Sequence, residues 1–137
     1  MRLRRRRHHL SLPALAAGLA ATGCNLATGP APLPDGAVPF SPPAHYAEWW
    51  QETEQCAGRA ANYVQVQWFV VPDAETFRLR GREWAGWWWE SGNRIILAEE
   101  YREHALTVRH EMLHSILKRG DHPTTLFEQR CRGIVEP

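Results

Sequence analysis

The segment from residue 101 to residue 119 constrains this chain most, because its pattern is that of an amphipathic helix. It contains no proline or glycine before Gly120, and its leucine, isoleucine and methionine residues recur at helical spacing. His110 and His114 are four residues apart, so their imidazoles lie on the same helix face and can bind one metal ion. Both fall at the border of the apolar stripe, where a site has core on one side and water on the other. We expect Gly120 to end the helix in the left-handed conformation.

The residues between these histidines complete a known pattern. The run of His110, Glu111, Met112, Leu113 and His114 resembles the HExxH motif of the zincin metallopeptidases. The resemblance implies a Zn²⁺ cofactor bound by the two histidines, with Glu111 as the general base toward a zinc-bound water. It predicts an enzyme that hydrolyses peptide bonds. The whole domain also resembles small exported bacterial lipoproteins that carry an HEMLH helix.

A catalytic zinc site needs a third protein ligand, and its fourth position is left to water. His122 follows the helix by a few residues, and a left-handed Gly120 would fold the chain back and carry His122 toward the metal. Glu128 and Asp121 are the alternative ligands. We predict His122 as the third ligand and leave the other two open.

The segments before this helix predict an α+β domain. Residues 44–61 follow two prolines and carry apolar residues at helical spacing, which favours an N-terminal helix. Residues 64–71 resemble a buried strand, and residues 85–90 and 94–98 flank a Ser-Gly-Asn turn, which predicts a β-hairpin. The expected fold is a minimal zincin-like domain with about three antiparallel or mixed strands and a short C-terminal tail. In zincins an edge strand pairs with the extended peptide substrate, and the resemblance assigns this part to a hairpin strand.

The first residues have the pattern of an export signal. Arg2 and the arginines at 4–7 form a positively charged segment, and residues 10–21 are apolar but too few to span a membrane. Small residues then precede Cys24, so the segment resembles a bacterial lipobox, which implies removal of residues 1–23 and a lipid on Cys24. We expect a protein that is exported and lipid-anchored to the bacterial envelope, at the outer membrane on its periplasmic side or at the cell surface.

The remaining composition describes a short tether and one small domain. Residues 24–43 contain six prolines and predict a tether, which leaves 44–137 as the metallopeptidase domain. With Cys24 assigned to lipid, Cys56 and Cys131 are an even pair, which predicts a disulfide in an oxidising compartment. The chain from Cys24 onward carries eleven basic and fifteen acidic residues, a net charge of −4 without a basic stripe, which argues against nucleic-acid binding. We expect a monomer that acts on a peptide or protein substrate in the envelope.

Four of the seven tryptophans are nearly consecutive: Trp84, Trp87, Trp88 and Trp89. In a strand, Trp87 and Trp89 point to one face and Trp88 to the other, so either the domain covers both faces or one face exposes aromatic surface. A second hypothesis follows: a non-catalytic envelope domain with a structural or vestigial metal site and a Trp-rich recognition hairpin. A fourth protein ligand or a buried Glu111 would favour that hypothesis, and an open coordination position would favour the enzyme.

Overall fold

The computed structural model describes residues 31–137, and two β-sheets organise them. The strands are β1 (Val38–Pro39), β2 (Gln67–Val71), β3 (Phe77–Leu79), β4 (Arg82–Trp84), β5 (Gly86–Trp89) and β6 (Arg94–Ala98). The larger sheet has the order β1-β2-β6-β5, in which β2 and β6 are parallel and the other two pairings are antiparallel. Strands β3 and β4 form a separate hairpin. The domain is therefore α+β with a mixed sheet.

The helices cover one face of the larger sheet. The helical elements are α1 (His45–Ala57), α2 (Ala105–Leu117), two short 3₁₀ turns (Tyr63–Gln65 and Glu99–Tyr101) and a π-helical segment (Thr125–Arg130). The main core lies between this face and the two α-helices, where Tyr46, Met112 and Ile95 are fully buried. Trp88 points into this core, whereas Trp87 and Trp89 lie on the opposite face, as strand alternation predicts.

A second apolar cluster lies on the opposite face of the sheet, where the β3–β4 hairpin covers it. Phe77 of the hairpin packs there with Ile96 and Ala98 of β6. Leu33 also packs against this cluster, and β1 pairs with β2, so part of the segment expected to be a tether belongs to the fold. The reason is that the Ala-Val-Pro-Phe stretch before the last two prolines adds apolar contacts and an antiparallel partner to the edge of β2.

Both helices end earlier than their sequence patterns predict. The first ends at Gly58, which has a φ of 66°. The second ends at Lys118, which takes the left-handed conformation with a φ of 55°, so the expectation that Gly120 fulfils this role is wrong. The turn at Lys118 brings the Arg119 carbonyl to 2.8 Å from Nδ1 of the His114 imidazole.

Two links tie α1 to the C-terminal half of the domain. Cys56 and Cys131 lie at disulfide-bonding distance, as the cysteine count predicts, and closing a loop between residues 75 apart would be worth about 4 kcal/mol by chain entropy. The guanidinium of Arg109 on α2 lies 3.0 Å from the carboxylate of Glu52 on α1. Neither α-helix in residues 31–137 has the length and hydropathy needed to cross a bilayer. The predicted signal 1–23 and Cys24 lie outside the described residues.

Candidate metal centre

Three imidazoles meet at the C-terminal half of α2. The Nε2 atom of His110 lies 3.1 Å from Nε2 of His114 and 2.9 Å from Nε2 of His122. The first two rings come together because their residues are one helical turn apart, and the third arrives on the loop that follows the helix. All three nitrogens lie within 4.8 Å of one another, close enough to hold one metal ion.

Backbone carbonyls fix the tautomers of the two helical histidines. Nδ1 of His110 lies 2.7 Å from the carbonyl oxygen of Glu136, and Nδ1 of His114 lies 2.8 Å from that of Arg119. A carbonyl can only accept a hydrogen bond, so each Nδ1 carries the proton and donates it. In a neutral imidazole the other nitrogen, Nε2, then has a free lone pair. The lone pairs of His110 and His114 therefore point toward the same place.

The donor set fits a zinc ion. Zinc binds imidazole nitrogens at about 2.0–2.1 Å, so two ligands at a tetrahedral angle are about 3.3 Å apart. The two Nε2 separations from His110, 3.1 Å and 2.9 Å, come within a few tenths of an ångström of that value, and the third pair lies within 4.8 Å. Three histidines also leave one coordination position for another molecule, as catalytic zinc sites require.

Aromatic packing holds the three rings in place. Phe127 of the π-helical segment is fully buried, and its ring centroid lies 5.0, 5.0 and 4.7 Å from those of His110, His114 and His122. On the other side, the indole of Trp88 stacks on His114 at 6.2 Å with an interplanar angle of 12°. The imidazoles are therefore preorganised by apolar contacts, which limits the ordering cost of binding a cation.

Burial keeps the imidazoles of His110 and His114 neutral. Desolvation lowers the pKa of His114 to about 4 and also lowers the pKa of His110, while the accepting carbonyls of Arg119 and Glu136 oppose the shift. Neutral imidazole is the form that binds a metal, so ligand binding need not compete with protonation at neutral pH.

Glu111 lies in the same groove as the histidines. The groove has a volume of about 380 Å³, and Gly86, Trp87, His122 and Glu136 are among the other residues that line it. Glu111 is only 6% exposed, and burial raises its pKa to about 8, partly opposed by a hydrogen bond from the backbone of Trp88. A carboxyl group in this state exchanges its proton near neutral pH.

Strand β5 forms the free edge of the larger sheet beside this groove. The amide of Ala98 donates to the carbonyl of Ala85 at 2.8 Å, which makes these two residues a hydrogen-bonded pair across β5 and β6. Bonded and non-bonded pairs alternate in an antiparallel ladder, so the backbone groups of Gly86 and Trp88 point away from β6. The amide of Trp88 accordingly reaches Glu111, and the amide and carbonyl of Gly86 face the sheet edge, where residues 31–137 supply no further strand.

The three candidate third ligands, His122, Asp121 and Glu128, lie in different surroundings. His122 is brought to the other two histidines, whereas Asp121 is ion-paired with Arg119 and Glu128 lines a different cavity, beside Leu106. Sequence reasoning missed Phe127 and the carbonyls of Arg119 and Glu136. No sequence signal identifies a carbonyl as a histidine partner, because every residue has one.

A side-chain clamp holds the tail that supplies the Glu136 carbonyl. The hydroxyl of Thr107 donates to the Glu136 carboxylate at 2.9 Å and lies 2.7 Å from Nδ1 of His104. The amide of Glu136 also donates to the carbonyl of Leu106. The tail is thereby fastened to the first turn of α2, one turn before His110.

Comparison with protein-family models, with curated proteins and with solved structures gives no significant match to this chain. The assignment of this site therefore depends on its own geometry and on the chemistry of its residues.

Proposed function

We propose that this protein is a zinc-dependent peptidase of the zincin type that hydrolyses peptide bonds. One observation carries the proposal: the Nε2 atoms of His110, His114 and His122 converge beside a buried carboxyl group in one groove. His110 and His114 bind through lone pairs that the Glu136 and Arg119 carbonyls orient, and His122 is the third ligand. A bound Zn²⁺ would supply a Lewis acid for the scissile carbonyl and would lower the pKa of water.

Glu111 is the general base in this proposal. It takes a proton from the attacking water and passes it to the leaving amine. A pKa of about 8 suits both steps, because a proton-transfer group works best when its pKa lies near the working pH. The wall of tryptophans beside Glu111 limits access of bulk water to the carboxyl group.

The free edge of β5 is the proposed binding site for the substrate backbone. An extended peptide pairs with the outward amide and carbonyl of Gly86, which lie next to Glu111. An antiparallel edge strand beside the metal-binding helix is the arrangement that the zincin resemblance implies. The substrates are therefore peptides or protein segments that can adopt an extended conformation.

Location and anchoring are part of the same proposal. The arginine-rich start and the small residues before Cys24 support export and a lipid on that cysteine. The pairing of Cys56 with Cys131 supports an oxidising compartment such as the bacterial envelope. We place the substrates in that compartment.

The test uses residues 25–137, which contain both apolar clusters and the disulfide, with matched substitutions Glu111→Gln and Glu128→Gln. We expect close to one zinc per chain in all three proteins, as measured by elemental analysis. Glu111→Gln should lower turnover of a peptide library by about 10²–10⁴-fold, the usual contribution of a general base, and Glu128→Gln should not. Zinc should be lost in the His110→Ala, His114→Ala double variant. Normal turnover by Glu111→Gln would sink the assignment.

The non-catalytic alternative has one observation in its favour, the 6% exposure of Glu111. In that function the histidines bind metal structurally and the carboxyl group only packs against β5. Zinc at one per chain without Glu111-dependent turnover of any peptide would favour this alternative over the enzyme.

A further inference from the structure

Arginine and tryptophan side chains form a mixed surface on the hairpin side of the larger sheet. This Arg–Trp patch consists of Arg80, Arg82, Trp84, Trp87, Trp89 and Arg94. The guanidinium of Arg80 lies 5.7 Å from the ring of Trp87 and 5.5 Å from that of Trp89. Arg94 approaches Trp89 at 5.6 Å, so two cations contact one indole.

The arginines of the patch lack close carboxylate partners in the part of the chain that the structure describes. Among residues 31–137, Arg80, Arg82 and Arg94 form no ion pair with a carboxylate. Arg94 is only 5% exposed, and its Nη2 atom has no hydrogen-bond partner in this region. Its Nε atom donates to the carbonyl of Ser91 at 3.0 Å, so this buried cation is partly compensated, and Arg80 and Arg82 supply the exposed charge of the patch. The patch is therefore a positive site on a domain whose overall charge is negative.

The stacking decides which chemistry this site can bind. A guanidinium stacked on an indole keeps its N–H donors in its own plane, where they can bind phosphate or carboxylate oxygens in a bidentate manner. Arg80 lies within cation–π distance of both Trp87 and Trp89, so a positive charge stands beside these two rings. The patch thus fits a surface that combines oxyanions with apolar groups.

An anionic phospholipid surface has this combination. Tryptophan favours the boundary between headgroups and acyl chains, and arginine is attracted to anionic headgroups. The N-terminal side of the domain is on the same sheet face, since Leu33 and Ala37 pack against the cluster beneath the hairpin. Cys24 precedes Leu33 by nine residues, and nine extended residues span at most about 30 Å. That length is roughly twice the width of four paired strands, so it is enough to reach across this sheet. A lipid on Cys24 can therefore share a membrane plane with the patch.

We propose that the Arg–Trp patch docks the domain on an anionic phospholipid surface. In this orientation the helix-covered face of the sheet points away from the membrane. Trp84 and Trp87 lie at the rim of the candidate metal groove, so that rim lies near the membrane surface. The patch acts without the metal site, so the proposal goes beyond the peptidase activity, and it rests on the proposed function only for the lipid anchor on Cys24.

The experiment measures vesicle binding by residues 25–137, which lack the predicted lipid. Flotation compares vesicles of phosphatidylcholine with vesicles that also contain phosphatidylglycerol. The test variant is Arg80→Ser, Arg82→Ser, and the matched control is Arg59→Ser, Arg132→Ser, which removes the same charge from exposed positions elsewhere. Brominated phosphatidylglycerol reports tryptophan insertion by fluorescence quenching, and near-UV circular dichroism verifies the fold of each variant.

We expect binding to the anionic vesicles only, weakened by added salt and accompanied by quenching. The test variant should lose about thirtyfold in partition coefficient, because an arginine at an anionic surface contributes roughly fivefold. The control should lose much less. Equal binding to both vesicle types, equal loss in both variants, or binding of a soluble acidic polysaccharide without vesicle binding would each overturn the proposal.

Discussion

A methyl group added at Gly86 tests whether Glu111 packs against the edge strand. A Cβ at this position would lie 3.0 Å from both Cγ and Oε1 of Glu111 and 3.3 Å from a methyl of Leu97. Carbon atoms normally pack at about 3.5–4.0 Å, so Gly86→Ala must displace the carboxyl group by about half an ångström. Leu97 is fully buried, and the backbone of Trp88 holds Glu111 by a hydrogen bond. Neither side chain can therefore move far enough to remove the steric clash. Overpacking of this kind costs about 1–3 kcal/mol, and the gain from replacing a strand glycine offsets about 0.5–1 kcal/mol.

We therefore expect Gly86→Ala to lower the free energy of unfolding by about 1–2 kcal/mol, measured by urea denaturation with a chelator present. Gly120→Ala is the matched control, because Gly120 lines the same groove and has no atom within 4 Å of its added Cβ. That variant should remain within about 0.5 kcal/mol of the parent. Zinc stoichiometry should be unchanged in both proteins, whereas turnover should fall only in Gly86→Ala. A Gly86→Ala protein with parental stability and turnover would refute the packing of Glu111 against β5.

Two further predictions concern the environment of the metal centre. Thr107→Val should free the tail that orients His110 and weaken zinc binding about 10–100-fold in a chelator competition, whereas Thr107→Ser should retain it. Without metal, Glu111 has a pKa of about 8 in the native state, whereas in the unfolded chain the same carboxyl group has the ordinary, lower pKa of glutamate. The native state therefore binds one proton more between these two pKa values, and the free energy of unfolding falls as pH rises. His114 opposes this trend until about one pH unit above its ordinary pKa of about 6.5, so a net fall of about 1 kcal/mol between pH 6.5 and 8 is expected in denaturation curves. Glu111→Gln should remove this dependence, and a slope that persists in Glu111→Gln would contradict the assignment.

The sequence predicts best what depends on neighbours in the chain. The spacing of His110 and His114 places two imidazoles on one face of α2 because a helix has a fixed period. The Ser-Gly-Asn turn places β5 against β6, and Gly92 there has a positive φ as tight turns require. These features need only local geometry, so one sequence is enough to predict them.

Features that depend on distant contacts were harder to predict. The β3–β4 hairpin lies in a polar stretch around Arg80 and Gly81, and only the cluster it covers gives it a reason to form. Strands β2 and β6 pair in parallel although β3, β4 and β5 lie between them in the chain. Phe127 contacts the histidines because it lies on a π-helical segment. The residues of that segment show no hydrophobic periodicity that would predict it.

The candidate metal centre brings together three nitrogens whose mutual contact is unfavourable without a cation. The Nε2 lone pairs of His110 and His114 face each other at 3.1 Å, an arrangement that repels unless a cation or a proton lies between them. Burial opposes the proton, since it lowers the pKa of His114 to about 4. Phe127 and the Cys56–Cys131 link hold the rings and the C-terminal segment in place, so the three nitrogens lie close together in this fold. A cation that binds the three nitrogens relieves the repulsion and stabilises the native state in proportion to its affinity.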